Sequence, residues 1–217
     1  AKTEIFQSMQ PNGHIVLNGD DDKLATVDGY HGVKPVFFGL DAKRDVYADQ
    51  IVSRGLKGVS CRIHMDEDAF DVLVPTPGIH MVYNALAAAA VGRIYGLTIE
   101  EIKRGIESLE TIRGRFKMIE TENFLVVDDC YNANPMSMKA SLDVLHDGEG
   151  RRVAILGDMG ELGENEISLH KEVGEHAAKC GIDVCICVGE LLYIWQTLHA
   201  QQIRILKFIM KRPGISS

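Results

Sequence analysis

The chain has 217 residues, of which 46% are hydrophobic and 25% charged, a composition typical of a globular protein with one or two domains. Acidic residues outnumber basic ones by 31 to 23, and the resulting net charge of −8 argues against a nucleic-acid partner. No apolar run approaches the roughly 20 residues of a membrane span, and residues 1–10 do not resemble a signal peptide, so we expect neither membrane insertion nor secretion.

Residues 1–110 begin with the pattern of a β-sheet. Strands are predicted at His14–Asn18 and Lys34–Gly39 from their β-branched and aromatic residues. Short alternating runs of apolar residues between 45 and 74 predict antiparallel strands that are joined by tight turns. Pro75–Gly78 interrupts the alternation and is expected to end the sheet.

Two helices are predicted after this sheet. Ile79–Tyr95 is rich in alanine and ends at Gly96, and its small residues imply close packing of the helix. The second helix begins at Thr98, where Glu101 completes a capping box three residues later. The predicted buried stripe of this second helix consists of Ile102, Ile106 and Leu109.

Residues 113–217 have a different pattern, in which strands and helices alternate. A hairpin is predicted from two apolar runs, Phe116–Ile119 and Phe124–Val127, and the boundary is expected near Thr111–Gly114, with Gly114 as a hinge. The elements that follow are a helix at 136–146, a strand at 152–156, a helix at 165–179, a strand at 183–188 and a helix at 190–200. This alternation predicts an α/β fold with a parallel sheet and right-handed crossovers.

Acidic and amide side chains follow the run Phe124–Val127, which has the composition of a buried strand. The polar and turn-forming residues after it include Asp128, Asp129, Asn132, Asn134 and Pro135. Ligands of open α/β sheets bind at the carboxyl ends of strands, so both acids are expected at the mouth of a site. The next two strands end in a similar way, in Gly157-Asp158 and Gly189-Glu190.

The cysteines give no sign of disulfides. There are five of them, an odd number without a CxxC pair: Cys61, Cys130, Cys180, Cys185 and Cys187. Cys185 and Cys187 alternate within a predicted strand, so we expect both to be buried as small hydrophobic residues, with a metal-binding pair as the alternative. This cysteine usage indicates a reducing, cytoplasmic environment.

Six strings of the sequence occur in the order in which a known family has them. They are Ala1–Phe6, Val16–Asp21, Gly78–Ala87, Gly114-Arg115, Asp128–Pro135 and Leu156–Gly163. Together they resemble the Mur ligases of bacterial cell-wall synthesis. The last two are similar to the branch that adds D-alanyl-D-alanine to the UDP-N-acetylmuramoyl tripeptide, and the resemblance covers residues 1 to about 190.

The resemblance implies that residues 1–112 are the latter part of the central ATPase domain and residues 113–217 a Rossmann-like C-terminal domain. The family also has an N-terminal domain that binds the UDP-sugar and a phosphate loop that ends in Gly-Lys-Thr. Because the 217 residues contain no Gly-Lys-[Ser/Thr], we expect a fragment that is inactive alone. After Glu190 the similarity ends, so the C-terminal domain is expected to be incomplete or altered there.

The activity that the resemblance implies is amide ligation. In the family, ATP phosphorylates a peptide carboxylate, and the amine of D-alanyl-D-alanine attacks the acyl phosphate. This implies ATP and Mg²⁺ as cofactors, and ATP, D-alanyl-D-alanine and UDP-MurNAc-tripeptide as small-molecule substrates of a cytoplasmic monomer. The alternatives are a ligase like folylpolyglutamate synthase and a non-catalytic nucleotide-binding module.

The side chains that the resemblance implies for nucleotide binding are His80, Asn84, Arg115 and Asp129, and Arg115 and Asn134 are implied for catalysis. His80 and Asn84 share a helix face beside the free N–H groups of the first turn. Asn84 suits a base edge, Arg115 a phosphate or stacked base, and Asp129 the ribose hydroxyls. The structural alternatives are a packing amide at Asn84, a surface salt bridge at Arg115 and a helix cap at Asn134.

The resemblance also implies substrate contacts, at Asn132, Asp158, Glu161 and His170. For the last three the alternative is an acidic first turn that interacts with the helix dipole. Lys2 aligns with a lysine that is carbamylated in several Mur ligases, and a carbamate would offer oxygen ligands to Mg²⁺. Since Lys2 lies near the start of the chain, we expect it to be unmodified.

Overall fold

The computed structural model describes residues 2–189, residue 191 and the backbone of residues 204–208. The chain divides into two compact units, 1–110 and 111–217, each of which is described by itself. The side chain of Lys2 lies outside the described residues, as does all but residue 191 of the helix expected at 190–200.

The first unit is built on a mixed sheet of five strands in the order 1-2-3-4-5. The strands are β1 (Ile15–Asn18), β2 (Pro35–Gly39), β3 (Val46–Ser53), β4 (Val59–Met65) and β5 (Asp68–Val74). The first three are parallel to each other, and β3, β4 and β5 pair in antiparallel fashion, as the alternating pattern predicts. Short 3₁₀-helices at Lys2–Ser8 and Leu24–Thr26 flank β1.

The core of this unit lies between the sheet and two helices, α1 (Ile79–Ile94) and α2 (Ile99–Glu107). Alternate residues of β4 are buried, and the buried face of α1 is formed by Val82, Ala85, Leu86, Ala89 and Ala90. The capping box of Thr98 and Glu101 is present, and Ile102 and Ile106 are buried. Leu109 is 44% exposed because α2 ends at Glu107, so the predicted stripe is wrong at its last position.

The second unit begins with a hairpin of β6 (Lys117–Glu120) and β7 (Leu125–Asp128). The later elements are α3 (Pro135–His146), β8 (Val153–Gly157), a 3₁₀-helix (Gly163–Asn165), α4 (Glu166–Lys179), β9 (Val184–Val188) and β10 (Arg204–Phe208). The last three strands form a parallel sheet in the order β10-β9-β8, which confirms the α/β fold. No helix within the described ranges is long and apolar enough to traverse a lipid bilayer.

The strand β7 lies in the predicted hairpin but differs from the prediction of a buried strand. Among the described strands it pairs only with β6, and Phe124, Leu125 and Val126 are exposed. The hairpin turn is closed locally, since the Thr121 N–H and hydroxyl both donate to the carbonyl of Phe124, at 3.0 and 2.7 Å. The predicted hairpin is therefore confirmed, and the prediction is wrong only in expecting its second strand to be buried.

The close approach of Gly58 to β5 gives a first test of the fold. Gly58 has φ +110°, and a Cβ atom there would lie 2.0 Å from the carbonyl oxygen of Val74. We expect Gly58→Ala to lower the free energy of unfolding by about 2 kcal/mol, since backbone must move. The matched control is Gly105→Ala inside α2, where an added Cβ atom would meet no neighbouring atom within 4 Å. This substitution should raise the free energy of unfolding by about 0.5–1 kcal/mol. Urea unfolding of both variants measures the difference, and equal stabilities would contradict it.

Candidate functional site

In the first unit, the carboxylate of Asp20 lies at the carboxyl ends of β1 and β2 and accepts three hydrogen bonds. One oxygen accepts from the N–H of Leu40 at 2.6 Å and from the hydroxyl of Tyr83 at 3.1 Å, and the other accepts from Nε of Arg44 at 3.1 Å. A Cβ atom at Gly39 would lie 2.5 Å from this carboxylate, so only glycine leaves room for it. Asp20 thereby joins two strand ends to helix α1.

The hydrogen bonds decide the ionisation of Asp20. Partial burial raises its pKa, but the donors Leu40, Arg44 and Tyr83 together outweigh burial and hold the pKa of Asp20 below its ordinary value. Burial and the neighbouring carboxylate raise the pKa of the Tyr83 phenol, so it remains a donor. The sequence analysis did not identify this cluster, although two signals were present: an acid two residues after a predicted strand, and a glycine at the end of the next strand.

Helix α1 is preceded by Gly78, whose φ of +97° favours glycine. The imidazole of His80 folds back over this residue, so that a Cβ atom at Gly78 would lie 2.5 Å from the ring. Asn84, one turn later, is exposed, and its Nδ2 lies 3.4 Å from the sulfur of Met81. The two predicted residues therefore differ: His80 is half-buried against the start of the helix, and Asn84 presents its amide at the surface.

Asn84 also lines a groove of about 250 Å³ between α1 and α2. The groove exists because the residues that line it on both helices include small ones, namely Ala85, Ala88, Gly92 and Gly105. The carboxylate of Glu101, which also lines it, accepts from the N–H and hydroxyl of Thr98 in the capping box. The groove is slightly smaller than the roughly 300 Å³ at which pockets for drug-sized ligands begin, and most of the side chains that line it are apolar.

In the second unit, the two adjacent acids at the end of β7 hold the same segment, 114–116. Asp128 accepts from the N–H of Gly114 at 3.2 Å. One oxygen of Asp129 accepts from the N–H of Phe116 at 3.1 Å and the other from the hydroxyl of Ser141 in α3 at 2.6 Å. Each carboxylate oxygen can accept a second hydrogen bond, so Asp129 keeps acceptor capacity for a ligand.

The environment of Asp128 differs from that of Asp129. A hydrogen bond from the Cys130 thiol is the largest influence on Asp128; burial opposes it, and the N–H of Gly114 adds to it. The net effect is a pKa of Asp128 below its ordinary value. Gly114 is buried, its N–H and carbonyl are both bonded, and Tyr131 N–H donates to that carbonyl at 2.9 Å. Gly114 is therefore anchored in the second unit by both of its backbone groups, and a hinge near Thr111–Gly114 stays a prediction.

Arg115 is exposed, and its guanidinium lies 4.3 Å from the centre of the Tyr131 ring. Such a cation–π contact is worth about 0.5–1 kcal/mol at an exposed site and orients the cation. Phe116, the next residue, has φ +54° and a buried side chain, so the backbone turns sharply between an outward arginine and an inward phenylalanine. The alternative of a surface salt bridge is not observed, because no described carboxylate pairs with Arg115.

The amides after β7 have local partners. The side-chain oxygen of Asn134 accepts from the N–H of Ser137 at 2.9 Å, and Ser137 reciprocates, so Asn134 caps α3 with Pro135 in the first turn. Asn132 is exposed, and its oxygen accepts from the N–H of Ala133 at 3.0 Å. The cap accounts for Asn134 without a catalytic role, and contacts of either amide with ligands stay predictions.

The residues predicted around β8 and α4 lie in two different environments. Asp158 is exposed at the end of β8, with its carboxylate over the Cα of Gly189, and Glu161 is exposed with φ +59°. His170 is fully buried: its Nε2 accepts from the N–H of Met159 at 3.0 Å, and Nδ1 lies 2.7 Å from the carbonyl of Glu166. His170 therefore positions the loop after β8, and its burial removes the direct substrate contact that the sequence led us to expect.

The Asp20 cluster generates a prediction about pH. Because the folded-state pKa of Asp20 is depressed, its stabilisation is present above its ordinary pKa of about 4 and is lost as pH falls through the folded-state value. We expect Asp20→Asn to lower the free energy of unfolding by about 1–2 kcal/mol at neutral pH, and by clearly less near pH 3. Urea unfolding at both pH values measures this.

The matched control for that experiment is Asp22→Asn, an exposed acid in the same loop. It should change the free energy of unfolding by no more than about 0.5 kcal/mol at either pH. An Asp20→Asn effect of the same size at both pH values would show that the carboxylate charge is not what stabilises the cluster.

Comparison with known proteins matches both units to domains of the same protein family. The family model of the Mur ligase middle domain matches residues 1–92, and that of the Mur ligase glutamate ligase domain matches residues 114–205. The UDP-N-acetylmuramoyl-tripeptide–D-alanyl-D-alanine ligase of Escherichia coli (strain K12) is 36% identical over 192 residues, which cover 88% of this chain and 42% of that protein.

Solved structures agree with the sequence relatives. A crystal structure of MurF from Acinetobacter baumannii has a TM-score of 0.85 and 29% identity, covering 95% of this chain and 45% of that one. MurF ligase from Thermotoga maritima, solved in complex with ADP, has a TM-score of 0.79 and 26% identity, covering 95% and 47%. This chain spans about two fifths of the length of the curated relatives it matches. The resemblance seen in the sequence is confirmed, and the chain belongs to the Mur ligase family.

Proposed function

We propose that the protein to which this chain belongs is an ATP-dependent amide ligase of peptidoglycan precursor synthesis, which joins D-alanyl-D-alanine to UDP-MurNAc-tripeptide through an acyl phosphate. The observation that carries the proposal is the arrangement at the end of β7, where Arg115 lies over Tyr131 and Asp129 anchors the same turn. The E. coli relative, which bears the name of this activity, supports the choice of substrates.

Each unit, taken by itself, presents residues that suit part of a nucleotide. Asn84 offers an exposed amide, with one donor and one acceptor group, to the edge of a base. Asp129 has a second lone pair on each oxygen for ribose hydroxyls, and Arg115 has its guanidinium exposed for a phosphate. ATP would supply the phosphoryl group that activates the peptide carboxylate. A role for Lys2 in holding Mg²⁺ stays a prediction, because its side chain is outside the described part of the chain.

Charge and position account for the contribution of these residues to catalysis. Amide ligation through an acyl phosphate develops negative charge on phosphoryl and carbonyl oxygens, so it needs a fixed cation more than a protein nucleophile. Arg115 is such a cation, since it stays charged and Tyr131 limits its motion. Asn132, Asp158 and Glu161 are exposed and are proposed to bind the peptide substrates, while Asn134 and His170 hold the elements that carry them.

The same proposal places the protein in the cytoplasm as a monomer. All five cysteines are free thiols in the structure, which is the usual state in a reducing compartment. The nucleotide and peptide substrates are small molecules, and the net charge of −8 makes a nucleic-acid partner unfavourable.

Residues 1–217 alone are expected to show no ligation. They contain no Gly-Lys-[Ser/Thr] string, so they lack the backbone cradle and lysine that hold the phosphates of ATP in phosphate-loop enzymes. The measurement is ADP release that depends on both D-alanyl-D-alanine and UDP-MurNAc-tripeptide, with heat-denatured protein as the blank. Substrate-dependent ADP release above the blank would contradict this prediction.

Substitutions at Arg115 and Asp129 test the proposed site in a full-length ligase that contains this chain. Arg115→Ala and Asp129→Ala should each lower kcat/KM for ATP at least tenfold, a loss of about 1.4 kcal/mol of transition-state stabilisation. Arg115→Lys should recover only part of the loss, because lysine keeps the charge without the planar fork.

Two further variants separate ligand binding from folding in that experiment. Arg113→Ala removes a neighbouring exposed arginine and should leave the kinetics unchanged. Ser141→Ala removes only the second hydrogen bond of Asp129 and should have a smaller effect than Asp129→Ala. If the Arg115 and Asp129 variants had wild-type kinetics, both side chains would be structural and the proposed site would be wrong.

A further inference from the structure

Helices α3 and α4 of the second unit are joined by three polar contacts in a regular register. Lys139 pairs with Glu172, Nε2 of His176 lies 2.6 Å from Oδ1 of Asp143, and Nδ1 of His146 lies 2.7 Å from the carbonyl oxygen of Cys180. Residue numbers increase together in the three pairs, from 139 to 146 in α3 and from 172 to 180 beside α4, so the two helices run parallel. Their carboxyl ends therefore lie side by side.

Three potential metal ligands converge at these carboxyl ends. They are Oδ1 of Asp143, Nε2 of His176 and Sγ of Cys180, which all lie within 4.8 Å of one another. The sulfur is 3.5 Å from Oδ1 of Asp143. Asp143 is exposed, His176 is half-buried and Cys180 is buried, so the cluster is open to solvent on the aspartate side. None of the three belongs to the nucleotide site proposed above.

The electrostatic surroundings favour a cation at this position. The last carbonyl groups of a helix have no partner within the helix and carry partial negative charge, and here two helices, α3 and α4, end together. A cation held by the three side chains would lie beside both helix ends.

We propose that Asp143, His176 and Cys180 bind a divalent cation of the zinc class, with water as the fourth ligand. Thiolate, imidazole and carboxylate together are ligands of Zn²⁺ rather than of Mg²⁺ or Ca²⁺. Tetrahedral Zn²⁺ with bonds of about 2.0–2.3 Å places its ligand atoms roughly 3.3–3.7 Å apart. The distance between the Asp143 oxygen and the Cys180 sulfur already fits, and the Asp143–His176 distance must lengthen by about 0.7 Å.

The binding step is balanced by the loss of one proton. The Cys180 thiol releases its proton to solvent as the sulfur–metal bond forms. The neutral imidazole of His176 loses to solvent the Nε2 proton that it donates to Asp143 and takes up a proton on Nδ1, so that Nε2 is free to bind the ion and the net loss is one proton. The hydrogen bond between His176 and Asp143 is replaced by two bonds to the ion. The ion would link α3 to α4 at the ends that the Lys139–Glu172 pair does not reach.

The test is a titration of the reduced 217-residue chain with Co²⁺, which reports thiolate ligation and four-coordinate geometry by its absorption. We expect the wild-type chain to develop a thiolate-to-cobalt band together with the visible bands of tetrahedral Co²⁺, and Zn²⁺ to abolish both. Cys180→Ser should lose the thiolate band, and His176→Gln should weaken Co²⁺ binding at least about tenfold. Cys130→Ser, which removes the exposed thiol, is the matched control and should bind as the wild type does.

Absence of a thiolate band in the wild type, or a band that persists in Cys180→Ser, overturns the proposal. The wild-type result does not depend on whether any variant folds. Circular dichroism of each metal-free variant identifies the variants that are folded. As a second measurement, Zn²⁺ should raise the thermal midpoint of the wild type and of Cys130→Ser, but not that of Asp143→Asn. An equal increase in Asp143→Asn would mean that the ion binds elsewhere, which also rejects the site.

Discussion

In each unit, an acidic side chain near the carboxyl end of a strand holds neighbouring segments together by hydrogen bonds. These bonds fix the orientation of the polar side chains nearby. Asp20 joins the ends of β1 and β2 to Tyr83, the residue that precedes Asn84 in α1. Asp129 joins the turn next to Arg115 to Ser141 in α3. In each unit the residue proposed to contact the nucleotide therefore has a rigid support in the adjacent residue, which is how a binding group retains its orientation without ligand.

Features with local causes could be predicted from the sequence. The alternating burial of β4 and the capping boxes at Thr98 and Asn134 follow from residues that are at most a few positions apart. The hairpin of β6 and β7 could be predicted from two neighbouring runs, but the exposure of β7 could not, because an apolar run has the same composition whether it is covered or exposed. Helix α2 likewise ends two residues before Leu109, so periodicity alone extended its buried stripe too far.

The same distinction applies to the candidate sites. The motif around Asp129 could be identified because its residues are consecutive, whereas the contact of Asp20 with Tyr83 spans 63 positions. The cluster of Asp143, His176 and Cys180 depends on the register of two packed helices, which the sequence does not encode locally. A buried histidine such as His170 cannot be distinguished from a ligand-binding one until its two ring nitrogens have been located.

The left-handed backbone of Phe116 has a consequence for how this surface tolerates change. A bulky residue with positive φ is strained by about 1–3 kcal/mol, and here the buried ring and the bond to Asp129 maintain it. Glycine at 116 would relax the backbone but would remove the buried ring, so the direction of Arg115 depends on a buried neighbouring side chain. Substitutions elsewhere that disturb this buried phenylalanine would therefore also reorient the exposed Arg115 side chain.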